Sequence, residues 1–243
     1  MKHESFRNEI RAFKDPLTGR AIRQLTAGSG DEYHIYYQAY PVTADGKWLV
    51  FYSQRDGRTD LYRLGLFDGV ITRLTRGRTA NSGWWPFSPL RSEGVYDFIA
   101  CLHPETGRVF YHDQNEIRVI DIESLEDTLI SLGSEDMRPL SQMACSFDGT
   151  FITTVWTPKE HIEEADRARI EAEKAALEKG DNELHGRMIK GFDEGEWMMR
   201  LKSRLDVIDT VSGKADTLID RSFPLHNMVI CSDNRQVVVV ESP

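Results

Sequence analysis

Short apolar runs alternate with polar residues along most of the chain, and turn-forming pairs such as Asp-Gly separate the runs. Alternation with a period of two is typical of β-strands, and Asp-Gly between two such runs indicates a hairpin because its turn needs a positive φ. Three segments repeat one order of short apolar strand, Asp-Gly or Asp-Asn turn and alternating strand: residues 38–77, 142–156 and 227–242. The sequence therefore predicts a repeated β-unit.

The first copy of this unit contains four predicted strands in about forty residues, with a turn at Asp68-Gly69 between the last two. Residues 94–132 form a less regular second copy, residues 203–220 complete the third, and the fourth has two strands. Four-stranded repeats of this length are typical of β-propeller blades, in which apolar inner strands precede a half-polar outer pair. We predict an all-β, TolB/WD40-like β-propeller of about three and a half blades, with a β-sandwich as the alternative.

Residues 158–200 interrupt the third copy and have a different composition. A stretch rich in Glu, Lys, Ala and Arg predicts a helix over residues 159–179, with opposite charges at helical spacing and an end at Gly180. We therefore expect a single, partial propeller domain over residues 1–243, with a helical insertion in its third blade.

The two ends of the chain predict an open propeller. Residues 21–26 resemble residues 70–75, the outer strand of the first copy, and precede that copy as a closing strand would. The fourth copy has two strands, which would leave an exposed sheet edge. We expect a portion, or a truncated form, of a longer propeller, whose C-terminal blades or a second chain would cover the edge.

Composition indicates which classes of binding partner and which cellular compartment to expect. The formal net charge of −9 gives no basic field that would attract nucleic acid or an anionic membrane. The first residues have no apolar secretion signal, and no apolar run is long enough to span a membrane. Three cysteines lie far apart in apolar stretches, as expected of buried thiols in a reducing compartment. We expect a cytoplasmic protein with no nucleic-acid or membrane partner.

Four motifs near the N-terminus point to a family. They are D-P-x-T-G from Asp15, R-Q-L-T from Arg23, the cluster of His34, Tyr36 and Tyr37, and T-x-D-G from Thr43. In this order they resemble the opening of the oligogalacturonide lyases, seven-bladed propellers that cleave short pectin fragments by β-elimination. The resemblance implies a lyase in pectin degradation with an oligogalacturonide substrate. The alternative is a non-catalytic TolB/WD40-like propeller that acts as a binding module.

Residues 203–226 also resemble a passage of that family, the one between its third and fourth blades that carries a catalytic Arg and His. β-Elimination needs a base for the C5 proton and a cation beside the uronate carboxylate, roles that suit imidazole and guanidinium. The resemblance implies that His226 is the general base and Arg204 its partner, with Arg200 as a further substrate-binding candidate. The alternatives are that His226 packs in a loop and that Arg204 pairs with Asp206 or with a carboxylate of the insertion.

Aromatic residues and one arginine supply further candidates. His34 and Tyr36, with Tyr37, are at the start of the first copy and are candidates for sugar contacts, although alternating aromatics also form cross-strand pairs. Residues 83–87, with two tryptophans, are expected to pack between blades rather than to stack on sugar rings. Arg55 follows a strand in a turn and is expected on the surface.

The resemblance also implies Mn²⁺, which these lyases hold on histidines and a glutamine of later blades. The seven histidines here include no pair at the close spacing of typical metal ligands, so ligands for Mn²⁺ are not found in this chain. We therefore expect an oligogalacturonide lyase-like protein of which this chain is a portion without the metal site.

Overall fold

Antiparallel strands that follow one another in the sequence form the sheets. The computed structural model describes residues 3–7, 9–36, 39–80, 92–161, 171 and 201–241. Three short strands come first: β1 (Ser5–Phe6), β2 (Arg11–Lys14) and β3 (Ala21–Gln24). The turn from Asp15 to Gly19 joins β2 and β3 into an exposed hairpin. Residues 21–24 therefore pair with β2 in the described part of the chain, and the role of this segment as a closing strand stays a prediction.

Four consecutive strands make the first blade: β4 (Glu32–His34), β5 (Trp48–Ser53), β6 (Asp60–Gly65) and β7 (Ile71–Arg73). They pair antiparallel in chain order, and β1 adds a fifth strand at the outer edge, with Ser5 opposite Thr72. β5 and β6 are mostly buried, as expected for strands covered on both faces.

The second blade repeats this order in β8 (Cys101–His103), β9 (Arg108–Asp113), β10 (Glu116–Asp121) and β11 (Asp127–Leu132). The third blade consists of β12 (Met137–Pro139), β13 (Ala144–Cys145), β14 (Phe151–Pro158), β15 (Ser203–Asp209) and β16 (Ala215–Arg221). In it β14 pairs with β12, β13 and β15. The fourth unit is a hairpin of β17 (Leu225–Ile230) and β18 (Val237–Glu241). The predicted repeat of four-stranded units is confirmed.

Three of these units contain the same kind of hairpin turn at the same place in the repeat. Gly46, Gly149 and Asn234 follow the Asp of each predicted hairpin turn and have φ values of 68°, 70° and 57°. Glycine and asparagine adopt this left-handed conformation at a lower energetic cost than most other residues. The same turn therefore recurs just before β5, β14 and β18 in the first, third and fourth units.

The core lies along the inner strands, and the outer strands of the second and third blades face solvent. The first two blades share a buried cluster that includes Tyr52, Leu61, Val109 and Ile120. A second cluster joins the later units and contains Phe110, Trp156, Leu205 and Leu225, among others. In contrast, β11 and β16 are largely exposed. The predicted gradient from apolar inner strands to half-polar outer strands is confirmed in the second and third blades, whereas β7 of the first blade is buried and pairs with β1.

The long connection between β14 and β15 coincides with the predicted insertion. β14 and β15 are direct neighbours, with Trp156 opposite Arg204, although residues 159–202 separate them in sequence. Residues 159–161 and 171 are helical, and the rest of the predicted helix 159–179 lies outside the described residues. Among the described helical residues, no helix is long and apolar enough to cross a membrane.

Arg55 joins the N-terminal segment to the first blade. It occupies the short 3-10 turn Arg55–Gly57, and its side chain is 4% exposed. The guanidinium forms ion pairs with Glu9 and Glu32 and lies over the ring of Phe6, 4.6 Å from its centroid. The expectation of a surface residue is wrong, because two carboxylates distant in sequence pair with this side chain and allow its burial.

A fully buried histidine lies between the second and third blades. The Nε2 atom of His112 on β9 is 2.9 Å from Oγ1 of Thr154 on β14, and the ring meets that of Trp156 edge-on, with centroids 4.9 Å apart. Burial lowers the pKa of His112 to about 3. The imidazole is therefore neutral in the folded protein at pH values where a solvated histidine carries a charge.

This histidine makes stability depend on pH. Its pKa is about 6.5 when unfolded and about 3 when folded, so the unfolded chain binds the additional proton in the intervening range. We expect the free energy of unfolding to fall by up to about 1.4 kcal/mol per pH unit as the pH drops from roughly 6 towards 3. Urea unfolding at several pH values measures this slope.

His112→Gln is expected to remove that contribution to the slope, since glutamine does not titrate. His34→Gln, at an exposed histidine, tests whether loss of any histidine has the same effect. An unchanged slope in His112→Gln would contradict the assignment.

Candidate functional site

The segments that begin each unit converge at the centre of the molecule. Met143 N of the third blade donates to Ile99 O of the second at 2.7 Å. Tyr36 Oη of the first blade donates to Asn227 Oδ1 of the fourth unit at 2.9 Å. The first bond joins consecutive blades and the second joins the first unit to the fourth, so the innermost segments of these units share one space. This is the position of the central channel in a propeller, where ligands bind.

A cavity of about 270 Å³ lies along these innermost segments. All four units contribute to its wall, through Tyr40, Leu102, Met143, Met228 and neighbouring residues. Most of these side chains are apolar. The volume is slightly below the usual range for sites that bind small organic molecules.

His226 lies on β17, two residues before the segment that lines this cavity. Opposite it on β18 is Val240, and the register shifts between His226 and Val229. The next residue, Asn227, has a φ of 53°, so a left-handed residue interrupts the strand beside the imidazole. Burial lowers the pKa of His226, which is half-buried. The ring is therefore neutral near pH 7, the state that a general base requires.

Arg204 lies on β15 and forms an ion pair within its own strand. Its Nε and Nη2 atoms are 3.1 and 3.0 Å from Oδ2 of Asp206. Asp206 is buried and accepts a further hydrogen bond from Thr217 Oγ1 at 2.7 Å. The pairing of Arg204 with Asp206, one of the two alternatives from the sequence, is confirmed. A substrate carboxylate would meet a guanidinium whose charge is already partly neutralised.

The strands that carry Arg204 and His226 are attached to one another. Ser203 Oγ donates to Phe223 O at 2.6 Å, which ties the start of β15 to the segment before β17. Leu205 and Leu225 belong to the same buried cluster. Arg204 and His226, next to these leucines in sequence, are both partly exposed.

The remaining candidates differ in position. Tyr36 is partly buried and contacts Asn227, the neighbour of His226. His34 is exposed on β4, opposite Phe51. Arg200, Tyr37 and residues 83–87 lie outside the described residues. None of the described candidates lines the cavity, whose wall on β17 begins at Met228.

Asn227 and Asp206 were not selected as site residues from the sequence. Asp206 carries a detectable signal, because residues two apart on a strand share a face and an acidic side chain there pairs with Arg204. Asn227 carries none, because its partner Tyr36 is 191 residues away. The described residues thus bring together Tyr36, Asn227 and His226 at the start of the innermost strands.

The described residues do not provide a site for the manganese that the resemblance implies. Among them, no three His, Cys, Asp or Glu side chains are grouped so that they could hold a metal ion. We therefore assign no step to a metal.

Comparison with known proteins identifies the fold. No protein-family model and no curated protein sequence matches the chain. An oligogalacturonate lyase solved in complex with manganese is similar over 94% of this chain and 51% of its own, with a TM-score of 0.69 and 17% identity. The oligogalacturonate lyase of Vibrio parahaemolyticus is similar over 100% of this chain and 55% of its own, with a TM-score of 0.71 and 18% identity.

A weaker likeness links the chain to TolB from Acinetobacter baumannii, with a TM-score of 0.48 and 12% identity over 99% of this chain and 47% of that one. The chain spans about half the length of the two lyases. At these identities the comparisons establish the architecture of the chain. The chain has the β-propeller fold of the oligogalacturonate lyases, as the sequence predicts.

Proposed function

We propose that this chain is part of an oligogalacturonide lyase-like protein that cleaves short pectin-derived uronides by β-elimination. The observation that carries the proposal is the likeness to two oligogalacturonate lyases over nearly the whole chain, at TM-scores of 0.69 and 0.71. The position of a half-buried histidine beside the Tyr36–Asn227 hydrogen bond supports it. The proposal includes a cytoplasmic location and Mn²⁺ held by residues beyond those described.

In this reaction His226 is the general base. Its neutral imidazole takes the C5 proton of a galacturonate residue, the electron pair forms the C4–C5 double bond, and the C4–O bond to the next sugar breaks. The expelled oxygen then takes up a proton. Because the C5 proton is only weakly acidic, the charge that develops on the neighbouring carboxylate has to be stabilised.

Arg204 is the proposed partner of that carboxylate. The guanidinium can bind both oxygens of a carboxylate. Its ion pair with Asp206 orients it along β15, so a bound uronate would share the guanidinium with Asp206. Tyr36, His34 and Arg200 are proposed to contact sugar hydroxyls or further carboxylates.

An absorbance assay tests the activity. The longest polypeptide of the native reading frame is incubated with short oligogalacturonates, with and without Mn²⁺. Cleavage produces a double bond conjugated with the carboxylate, so we expect near-ultraviolet absorbance to increase with time. No increase under either condition would contradict the lyase proposal.

A non-catalytic binding module is the second candidate. The ion pair between Arg204 and Asp206 favours it, because it gives Arg204 a structural role that does not need a substrate. This candidate predicts that oligogalacturonate, or another ligand, binds without being cleaved and that His226→Ala leaves its affinity nearly unchanged. Calorimetric titration of the wild-type protein and of His226→Ala with oligogalacturonate, together with the absorbance assay, separates the two functions.

A further inference from the structure

Two cysteines face each other across the boundary between the second and third blades. Ile99 O accepts a hydrogen bond from Met143 N at 2.7 Å, and Nε2 of His103 is 3.0 Å from Phe147 O. From the first contact to the second, the residue number increases by four on both segments. The innermost segments of the two blades therefore run parallel. Cys101 lies midway between the two contact points on one segment, and Cys145 lies midway on the other. The register alone thus places the two cysteines opposite each other.

The sulfur atoms lie near each other in this register. A hydrogen bond between the two thiols shifts the pKa of each. Cys145 Sγ is also 3.6 Å from the carbonyl oxygen of Leu102, the residue after Cys101. Both cysteines are free thiols. A disulfide bond between them would need only a small movement of two side chains.

The two thiols differ in reactivity. The hydrogen bond from Cys101 lowers the pKa of Cys145, whereas the same bond and burial raise the pKa of Cys101. Cys101 is almost fully buried, and Cys145 is partly exposed. Since the thiolate is the nucleophile, Cys145 is the thiol that reacts first.

Both cysteines line the central cavity of about 270 Å³. A small solute that enters this cavity meets Cys145 directly. The apolar wall, with Met143 and Met228, favours a small uncharged reagent over an anion. A hydroperoxide is such a reagent, and it oxidises thiolates.

We propose that Cys145 and Cys101 form a hydroperoxide-reactive dithiol site in the central cavity, with Cys145 as the nucleophile and Cys101 as the resolving thiol. The Cys145 thiolate attacks the outer peroxide oxygen and the O–O bond breaks, so Cys145 becomes a sulfenic acid and the peroxide leaves as water or an alcohol after taking a proton. The Cys101 sulfur then attacks the Cys145 sulfur, the S–O bond breaks, and water leaves with the proton of Cys101. The product is a disulfide that joins the second and third blades, and a small thiol reductant reverses it.

Oxidation of the folded protein with hydrogen peroxide tests the proposal. Free thiols are alkylated after increasing times, and the digest is analysed by mass spectrometry. We expect a disulfide between Cys101 and Cys145 within one chain, whereas Cys231 stays reduced. Cys231 is the internal control, because it is also partly buried but lies in the turn after β17. We expect Cys145 to be consumed severalfold faster than Cys231, because Cys145 lines the cavity and the pKa of its thiol is lowered.

Two variants separate the roles of the thiols, and a third is the control. Cys101→Ser removes the resolving thiol, so a sulfenic acid at Cys145 should accumulate and react with a dimedone probe. Cys145→Ser should protect Cys101 from oxidation, and Cys231→Ser should change neither result. Circular dichroism verifies that each variant is folded. If a variant does not fold, the alkylation rates of Cys145 and Cys231 in the wild-type protein test the proposal instead.

Several results would overturn the proposal. In folded wild-type protein these are equal consumption of Cys145 and Cys231, peroxide treatment that leaves both Cys101 and Cys145 reduced, or disulfides formed only between chains. Each of these outcomes is independent of lyase activity, so the dithiol site and the proposed function stand or fall separately.

Discussion

Replacing His226 with glutamine is expected to lower the rate of oligogalacturonide cleavage by about 10²- to 10⁴-fold, the usual contribution of a general base. Glutamine keeps the size and hydrogen-bonding capacity of the side chain but cannot accept the C5 proton. The lowered pKa of His226 keeps the wild-type imidazole neutral near pH 7, so the base is in its active form there. Initial rates of absorbance increase measure the effect.

The pH profile gives this experiment a second readout. The wild-type rate should fall towards acidic pH as His226 becomes protonated, and this acidic limb should disappear in His226→Gln. His3→Gln is a matched control, because His3 contacts the backbone oxygen of Arg73 at the outer edge of the first blade. A rate within about threefold of wild type in His226→Gln, far short of the loss of a general base, would exclude His226 from that role.

Replacing Arg55 with alanine is expected to lower the free energy of unfolding by about 3–5 kcal/mol, the usual cost of removing one partner from a buried ion pair. The substitution leaves Glu9 and Glu32 without their shared cation, and their side chains are only 15% and 11% exposed. It also removes the contact of the guanidinium with the ring of Phe6. Urea unfolding followed by tryptophan fluorescence measures the change.

An exposed ion pair provides the control for this measurement. Lys214 and Asp216 are 3.0 Å apart with side chains 71% and 67% exposed, and exposed pairs of this kind contribute about 1 kcal/mol or less. Lys214→Ala should therefore change stability little. An equally small change in Arg55→Ala would mean that the buried cluster does not hold the N-terminal segment on the blade.

The strands and turns of this fold were predictable from the sequence because their signals are local. A hairpin needs a residue that accepts positive φ, and Gly46, Gly149 and Asn234 supply it within a few residues of the strands they join. In contrast, the burial of Arg55 depends on Glu9, which is 46 residues away. No periodicity in the sequence reports a partner at that distance.

The site was less predictable than the fold for the same reason. Family resemblance led to His226 and Tyr36, but the position of Tyr36 depends on Asn227, the neighbour of His226 in a unit distant from Tyr36 in sequence. Arg204 and Asp206 are two residues apart on one strand, so their pairing followed from strand geometry. The cavity could not be predicted, since its wall combines segments from all four units.

The connection between β14 and β15 has a consequence for the order of folding. The hairpins at Gly46 and Gly149 close over a few residues, and such contacts form quickly. β14 and β15 pair only after residues 159–202 have been brought into a loop, and the entropy lost on closing a loop grows with its length. The third blade is therefore expected to complete its sheet later than the first two, and the strands on either side of this connection are the ones exposed longest to wrong partners.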